Sequence, residues 1–80
     1  MIRDILKNRP QVTAKKFKKF LNFLGYHKVS QKGSHIKYKK HNYTYTYANK
    51  PNTYIYKKGS LMKMLKDINV SLEELFDFLL

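Results

Sequence analysis

The sequence predicts an α+β fold in which helices pack on one face of a three-stranded antiparallel sheet. Apolar residues recur at helical spacing over residues 13–24 and again from residue 59 to the end. Between these regions, residues 26–47 alternate with a period of two and are rich in β-favouring Tyr, Thr, Val and Ile. Helices that cover only one face of such a sheet leave the other face open to a partner.

The first helix is predicted between Thr13, a suitable N-cap, and Gly25, which provides a left-handed stop. Lys15 and Lys16 fall in its first turn, where the helix dipole disfavours cations by roughly 0.3–1 kcal/mol each. We therefore expect the polar face of this helix to contact phosphate. Its apolar stripe comprises Ala14, Phe17, Phe20, Leu21 and Leu24.

The sheet is predicted to consist of the strands Tyr26–Gln31, Ser34–Lys40 and Tyr43–Tyr47, with a tight turn at Lys32-Gly33. One face of the third strand is expected to complete the packing, although its tyrosines could instead stack on bases. The segment Thr53–Lys57 either extends the sheet or forms an edge.

A two-residue loop sets a register that assigns side chains to faces. Val29 then lies opposite Ile36 on the helix-facing side, and His27 opposite Tyr38 also points at the helices. The open side is predicted to carry His35, Lys37 and Lys39, next to Ser30 and Lys28.

The C-terminal part is predicted to be a broken helix. Gly59-Ser60 opens its first half, Asn69 ends it, and Ser71 with Glu74 forms a capping-box pattern for the last helix. Residues 13–80 are predicted to form a single domain, preceded by a lead-in over residues 1–12 with a short helical turn at Met1–Asn8.

Charge is the strongest compositional signal: 17 Lys and Arg face 5 Asp and Glu, a net charge of +12. The sequence between Ile5 and Lys66 contains no acidic residue. Such self-repulsion destabilises a fold, which favours a polyanionic partner over a merely solvated surface. A membrane surface is disfavoured because the basic residues are spread over several elements.

Several classes of chemistry are not expected. A two-metal nuclease needs clustered carboxylates, and three histidines without cysteine predict no zinc site. We expect no metal, no cofactor and, without a glycine-rich phosphate loop, no nucleotide hydrolysis. The absence of cysteine, of a signal-peptide pattern and of a membrane span leads us to expect a cytoplasmic location.

Two runs of residues resemble the HicA-type (YcfA-like) mRNA interferase toxins. The first is Gly25-Tyr26 followed by the run from Gly33-Ser34-His35 to Tyr38. The second is Lys58-Gly59-Ser60-Leu61, then Met64-Leu65-Lys66, then Val70-Ser71 with Glu73-Glu74-Leu75. The resemblance covers roughly residues 13–78. It implies a fold like that of double-stranded-RNA-binding domains (dsRBD-like, α-β-β-β-α), cleavage of mRNA by one essential histidine at position 35, and neutralisation by a HicB-type antitoxin.

The residues around His35 suit RNA cleavage. RNA carries its own 2′-hydroxyl nucleophile, and imidazole can take its proton near neutral pH. Candidates for binding the phosphates are the Gly33 and Ser34 amides and the side chains of Lys28, Lys32 and Lys37, with Lys15 and Lys19 on the first helix. A non-catalytic RNA or DNA adaptor of the same fold, or a module that binds an acidic protein, would use the same charges without needing His35. The oligomeric state does not follow from the sequence.

Overall fold

The computed structural model describes residues 11–80, so the helical turn predicted at Met1–Asn8 lies outside the described residues. A helix, three strands and two further helices follow one another, and the strands form an antiparallel sheet in the order β1-β2-β3. The predicted α+β fold is confirmed. The elements are α1 (Ala14–Phe23), β1 (His27–Lys32), β2 (His35–Lys40), β3 (Tyr43–Ala48), α2 (Lys58–Asp67) and α3 (Leu72–Leu79).

The boundaries of α1 follow the predicted caps. The Thr13 hydroxyl accepts a hydrogen bond from the Lys16 amide at 3.2 Å, which satisfies one of the free N–H groups of the first turn. Gly25 follows the helix with a φ of 101°, a conformation that glycine adopts without steric cost. The predicted stripe is buried except for the half-buried Leu24, and it packs α1 against the sheet and the C-terminal helices.

The predicted turn of the first hairpin begins one residue too early, so the predicted register is wrong by two residues. Lys32 pairs with His35 and Gln31 with Ile36, so the loop residues are Gly33 and Ser34 instead of Lys32 and Gly33. Gly33 has a φ of 59°, and glycine at the first loop position is typical of type II′ hairpin turns. The predicted loop would have put a lysine at that position.

A β-bulge in β1 changes the faces further along the strand. The pairing shifts between Lys28 and Ser30, and Val29 in the bulge is 49% exposed instead of packing opposite Ile36. Beyond the bulge His27 pairs with Lys39, so the prediction that His27 points at the helices is also wrong. Because directly opposed residues share a face, His27 lies on the open side.

The tyrosines of β3 complete the packing of the sheet. Tyr45 and Tyr47 are buried on the side of Ile36 and Tyr38, while Thr44 and Thr46 lie on the exposed side. The Tyr47 and Tyr56 hydroxyls share a hydrogen bond, and the Tyr43 hydroxyl donates to the carbonyl oxygen of Asp67. The polar end of the buried Tyr47 ring is therefore bonded within the protein.

The C-terminal helices begin and end close to the predicted positions. Helix α2 is followed by Ile68 and by Asn69, whose φ is 57°. Ser71 caps α3 by accepting a hydrogen bond from the Glu74 amide at 3.1 Å. The segment predicted to extend the sheet contributes only an isolated bridge between Thr13 and Ile55, and no fourth strand occurs in residues 11–80. No helix in this part of the chain is long and apolar enough to cross a membrane.

Candidate functional site

His35 is the first residue of β2 and lies exposed on the open face of the sheet. Its backbone pairs with Lys32 on β1 and with Ala48 on β3. The sheet therefore holds the backbone of His35 on both sides, while the side chain remains accessible. The period-two alternation of β2 puts Ile36 and Tyr38 in the core, which fixes the opposite orientation of His35.

A shallow open depression lies at the hairpin end of this face. Its volume is about 720 Å³, and two of its residues, Gly33 and Ser34, form the tight turn. The carbonyl oxygen of Ser34 accepts a hydrogen bond from the Asn49 amide at 2.6 Å, which joins the turn to the segment after β3. The depression is lined by Ser30, Gln31, Lys32, Gly33, Ser34, His35 and Lys37.

A row of cations shares the face of His35. Lys32 lies directly opposite it, and Lys37 and Lys39 follow at alternate positions of β2. Alternate residues of a strand are about 6.6 Å apart, so three positions of β2 cover roughly 13 Å of the face. Nothing acidic occurs among the residues of this face. Its potential is positive along the whole length of β2.

Lys28 does not lie on this face, contrary to the predicted register. It pairs with Tyr38, whose side chain is in the core, and its ammonium donates a hydrogen bond to Gln31 Oε1 at 2.7 Å. Lys28 is exposed at the edge strand, on the helix side of the sheet. The structure thus brings Lys32 and Lys37 to His35, but it separates Lys28 from them.

Lys15 and Lys19 are exposed on α1, which packs on the other side of the sheet. The Lys15 amide donates to the Asn52 carbonyl oxygen at 3.3 Å, and the Lys18 ammonium donates to Asn52 Oδ1 at 3.2 Å. Asn52 belongs to the segment that follows β3, so the first turn of α1 lies toward the end of the sheet that carries His35. Lys19 lies one helical turn beyond Lys15.

The other two histidines lie at the opposite end of the sheet. His27 pairs with Lys39, four residues from His35 along β2, which corresponds to a distance of about 13 Å. His41 is in the β2–β3 turn, with a φ of 54°. No second imidazole is therefore placed to act on the same bond as His35. In residues 11–80 no three metal-ligating side chains form a group.

A second concavity, of about 320 Å³, lies between β3 and α2. It contains none of the predicted site residues, because its residues come from β3, the segment after it and α2. The only sequence signal for it was the tyrosine-rich stretch from Tyr43 to Tyr56. It is lined by Tyr45, Thr46, Ala48, Lys50, Tyr54, Tyr56, Ser60, Lys63, Met64 and Asp67.

Burial keeps the core phenols protonated. Desolvation, with the negative charge of Asp67, raises the pKa of Tyr45 far above its usual range. Desolvation and the hydrogen bond with Tyr47 do the same for the pKa of Tyr56. Burial also raises the pKa values of Tyr26, Tyr38 and Tyr47. These hydroxyls are neutral hydrogen-bonding groups at physiological pH.

Fold and surface together define a small basic α+β protein that presents His35 among lysines at the hairpin end of an open sheet face. Residues 14–70, more than half of the chain, match the family described as HicA toxin of bacterial toxin-antitoxin. The chain belongs to the HicA toxin family. It is therefore the toxin of a toxin–antitoxin system and has an antitoxin partner. A search of curated proteins and a search of solved structures found no match.

Proposed function

We propose that this toxin is a metal-independent endoribonuclease that cleaves mRNA in the cytoplasm, with His35 as its catalytic base. The observation that carries the proposal is the position of His35, exposed at the rim of the depression with Lys32 opposite and Lys37 beside it. A base needs access to the 2′-hydroxyl, and cations nearby stabilise the charge that develops on phosphorus-bound oxygens.

The reaction uses the nucleophile that RNA supplies. His35 removes the proton of the 2′-hydroxyl, the 2′-oxygen bonds to the adjacent phosphorus, and the bond from phosphorus to the 5′-oxygen breaks. The departing 5′-oxygen takes a proton from water, because His27 is about 13 Å away along the sheet. The products are a 2′,3′-cyclic phosphate and a 5′-hydroxyl.

The turn and the lysines bind the phosphates. Lys32 and Lys37 neutralise the scissile phosphate, and the Gly33 and Ser34 amides border the same depression. Lys15 and Lys19 extend the basic surface around the end of the sheet onto α1. Lys28 contributes only to the edge of the basic surface, since it lies on the other side of β1.

The antitoxin would act by covering the open face. We assign it to the HicB type because the chain belongs to the HicA family. The open face carries Lys32, Lys37 and Lys39 without an acidic residue, so the surface that covers it should be acidic. Such a complex would block access to His35 and compete with RNA for the same lysines.

Cleavage of a long RNA in EDTA tests the proposal. Wild-type protein should cut, whereas His35→Ala should lose at least about a hundredfold in rate, the range for removal of a general base. His41→Ala should retain wild-type activity, because His41 is an exposed histidine at the other end of the sheet. RNA binding without cleavage by all three proteins would instead identify a non-catalytic adaptor.

A further inference from the structure

The concavity between β3 and α2 has the chemistry of a nucleobase site. Its volume of about 320 Å³ falls within the usual range of about 300–1,000 Å³ for small-ligand pockets. Three tyrosines line it, and its charged residues are Lys50, Lys63 and Asp67. Aromatic rings bind the faces of bases and a carboxylate accepts from base N–H groups, so the composition suits a base whose phosphate is contacted by a lysine.

Tyr45 contributes an unused hydrogen-bonding group to this pocket. Its side chain is only 7% exposed, and it lines the concavity. The hydroxyls of its neighbours Tyr43 and Tyr47 are bonded within the protein, whereas that of Tyr45 makes no hydrogen bond within residues 11–80. Among residues 11–80 only Asn49 Oδ1 is a buried polar side-chain atom without a partner, so the unpaired Tyr45 oxygen is reachable from solvent and available to a ligand.

Asp67 is an unusual carboxylate for its position. It is the last residue of α2, where the helix dipole disfavours negative charge, and it is the first acidic residue after Asp4 in the sequence. The Tyr43 hydroxyl bonds to its carbonyl oxygen and fixes its backbone against β3. No lysine among residues 11–80 forms an ion pair with it. Its carboxylate can therefore accept hydrogen bonds from a ligand in the pocket.

Tyr54 and Lys50 form the mouth of the pocket. Tyr54 is 38% exposed, and the Lys50 ammonium lies 5.4 Å from the centroid of its ring. Tyr56 packs edge-on against the same ring, at a centroid distance of 5.2 Å. The exposed part of the Tyr54 ring can stack on a base, and Lys50 is close enough to contact the phosphate attached to that base.

The pocket adjoins the proposed site of cleavage. Ala48 lines it and is also the β3 partner of His35. Paired residues of antiparallel strands have Cα atoms about 4.5–5.5 Å apart. A nucleotide with its phosphate at His35 thus has a neighbour whose base can cross β3 and enter the pocket.

We propose that this pocket binds a guanine next to the scissile phosphate and so determines where the toxin cuts. The carboxylate of Asp67 accepts from guanine N1–H and from its 2-amino group, and the Tyr45 hydroxyl donates to O6. Uracil has no amino group, and adenine and cytosine do not present two adjacent donors on this edge. The position of the guanine beside the cleaved bond rests on the proposed ribonuclease function. Binding of guanine by the pocket can be tested without that function.

The first test maps the cleavage sites of wild-type protein and variants on a long RNA of mixed sequence. Wild type should show guanine at one fixed position beside the cut. Asp67→Asn and Tyr45→Phe should reduce that enrichment about tenfold, the effect of losing about 1.4 kcal/mol. Glu73→Gln and Tyr38→Phe are matched controls outside the pocket and should leave the pattern unchanged. An identical base profile for wild type and Asp67→Asn overturns the proposal.

The second test measures binding in the His35→Ala background, so it remains valid if the protein cleaves nothing. Oligouridine with one central guanosine should bind at least about tenfold tighter than oligouridine alone, and inosine, which lacks the 2-amino group, should be intermediate. Asp67→Asn should abolish these differences. Equal affinities for the three oligonucleotides overturn the base site. If Asp67→Asn weakens only the complex with the antitoxin, the pocket belongs to that partner and the proposal is wrong.

Discussion

At the scale of single residues, the role of each lysine in the sheet depends on the face that its strand position gives it. Lys37 and Lys28 are both exposed and lie on neighbouring strands of the sheet. Lys37 shares the face of His35, whereas Lys28 pairs with the core residue Tyr38. Their charges are equal, so a comparison of the two isolates position from charge.

Lys37→Ala should therefore reduce kcat/KM for RNA cleavage about tenfold, with Lys28→Ala changing it less than about twofold. A cation near the scissile phosphate stabilises the transition state, while one on the other side of the sheet contributes only to the general field. The salt dependence of RNA affinity should fall by about 0.7 in log–log slope for Lys37→Ala. Equal losses in the two variants would mean that the RNA does not follow the open face.

The sequence predicted the catalytic candidate and part of its surroundings. The alternation in β2 assigned His35 and Lys37 to the open side, which is correct because Ile36 and Tyr38 must be buried. The predicted faces of His27 and Lys28 are wrong because of the bulge at Val29, which the prediction does not include. The extra residue of a bulge exchanges the two faces of the rest of the strand, and a bulge leaves no clear mark in the sequence.

At the scale of elements, caps and turns carry most of the local information. Thr13, Gly25 and Ser71 act through groups within a few residues, and their predicted roles are confirmed. The pocket between β3 and α2 could not be predicted in the same way. Its residues extend from Tyr45 to Asp67, and only the packing of α2 against the sheet brings them together.

Two glycines of different elements should respond to alanine in opposite directions. Gly33 has a φ of 59°, so Gly33→Ala introduces left-handed strain and should lower the free energy of unfolding by about 1–2 kcal/mol. Gly59 lies within α2, and a Cβ added there would meet no atom within 4 Å. Gly59→Ala should therefore raise the free energy of unfolding by roughly 0.5–1 kcal/mol. Urea unfolding of the two variants measures both values. Destabilisation by Gly59→Ala would contradict the helical environment described for that residue.

At the scale of the whole molecule, a small aromatic core must offset the electrostatic self-repulsion of a net charge of +12. The cations lie on the open face, on α1 and around the β3–α2 segment, while the core is formed by residues of several elements on the helix side of the sheet. Several core rings are tyrosines whose hydroxyls remain protonated. The fold therefore depends on pH through its core more than through ion pairs.

The free energy of unfolding should fall steeply above about pH 10. The pKa values of Tyr45 and Tyr56 are raised in the folded state by burial, so their stabilising contribution is complete below the usual tyrosine pKa and is lost as pH rises through the folded values. Each such tyrosine contributes a slope of at most about 1.4 kcal/mol per pH unit in that window.

Tyr45→Phe provides the control, because it keeps the ring and removes one titrating group, while lysine deprotonation affects both proteins alike. Its free energy of unfolding should fall less than that of the wild type as the pH rises from about 9 to about 11, on either side of the usual tyrosine pKa. Urea unfolding at several pH values measures the difference. Identical pH profiles would show that Tyr45 does not titrate differently in the folded and unfolded states.

The chemistry of the cut ends tests the central claim most directly, because a base that acts on the 2′-hydroxyl leaves a specific product. An oligonucleotide cut by the wild-type protein in EDTA should end in a 2′,3′-cyclic phosphate, followed by a fragment with a 5′-hydroxyl. The same oligonucleotide with a single 2′-deoxy sugar before the cut should remain intact. Fragments with a 3′-hydroxyl, or cleavage of the deoxy-substituted substrate, would contradict the role assigned to His35.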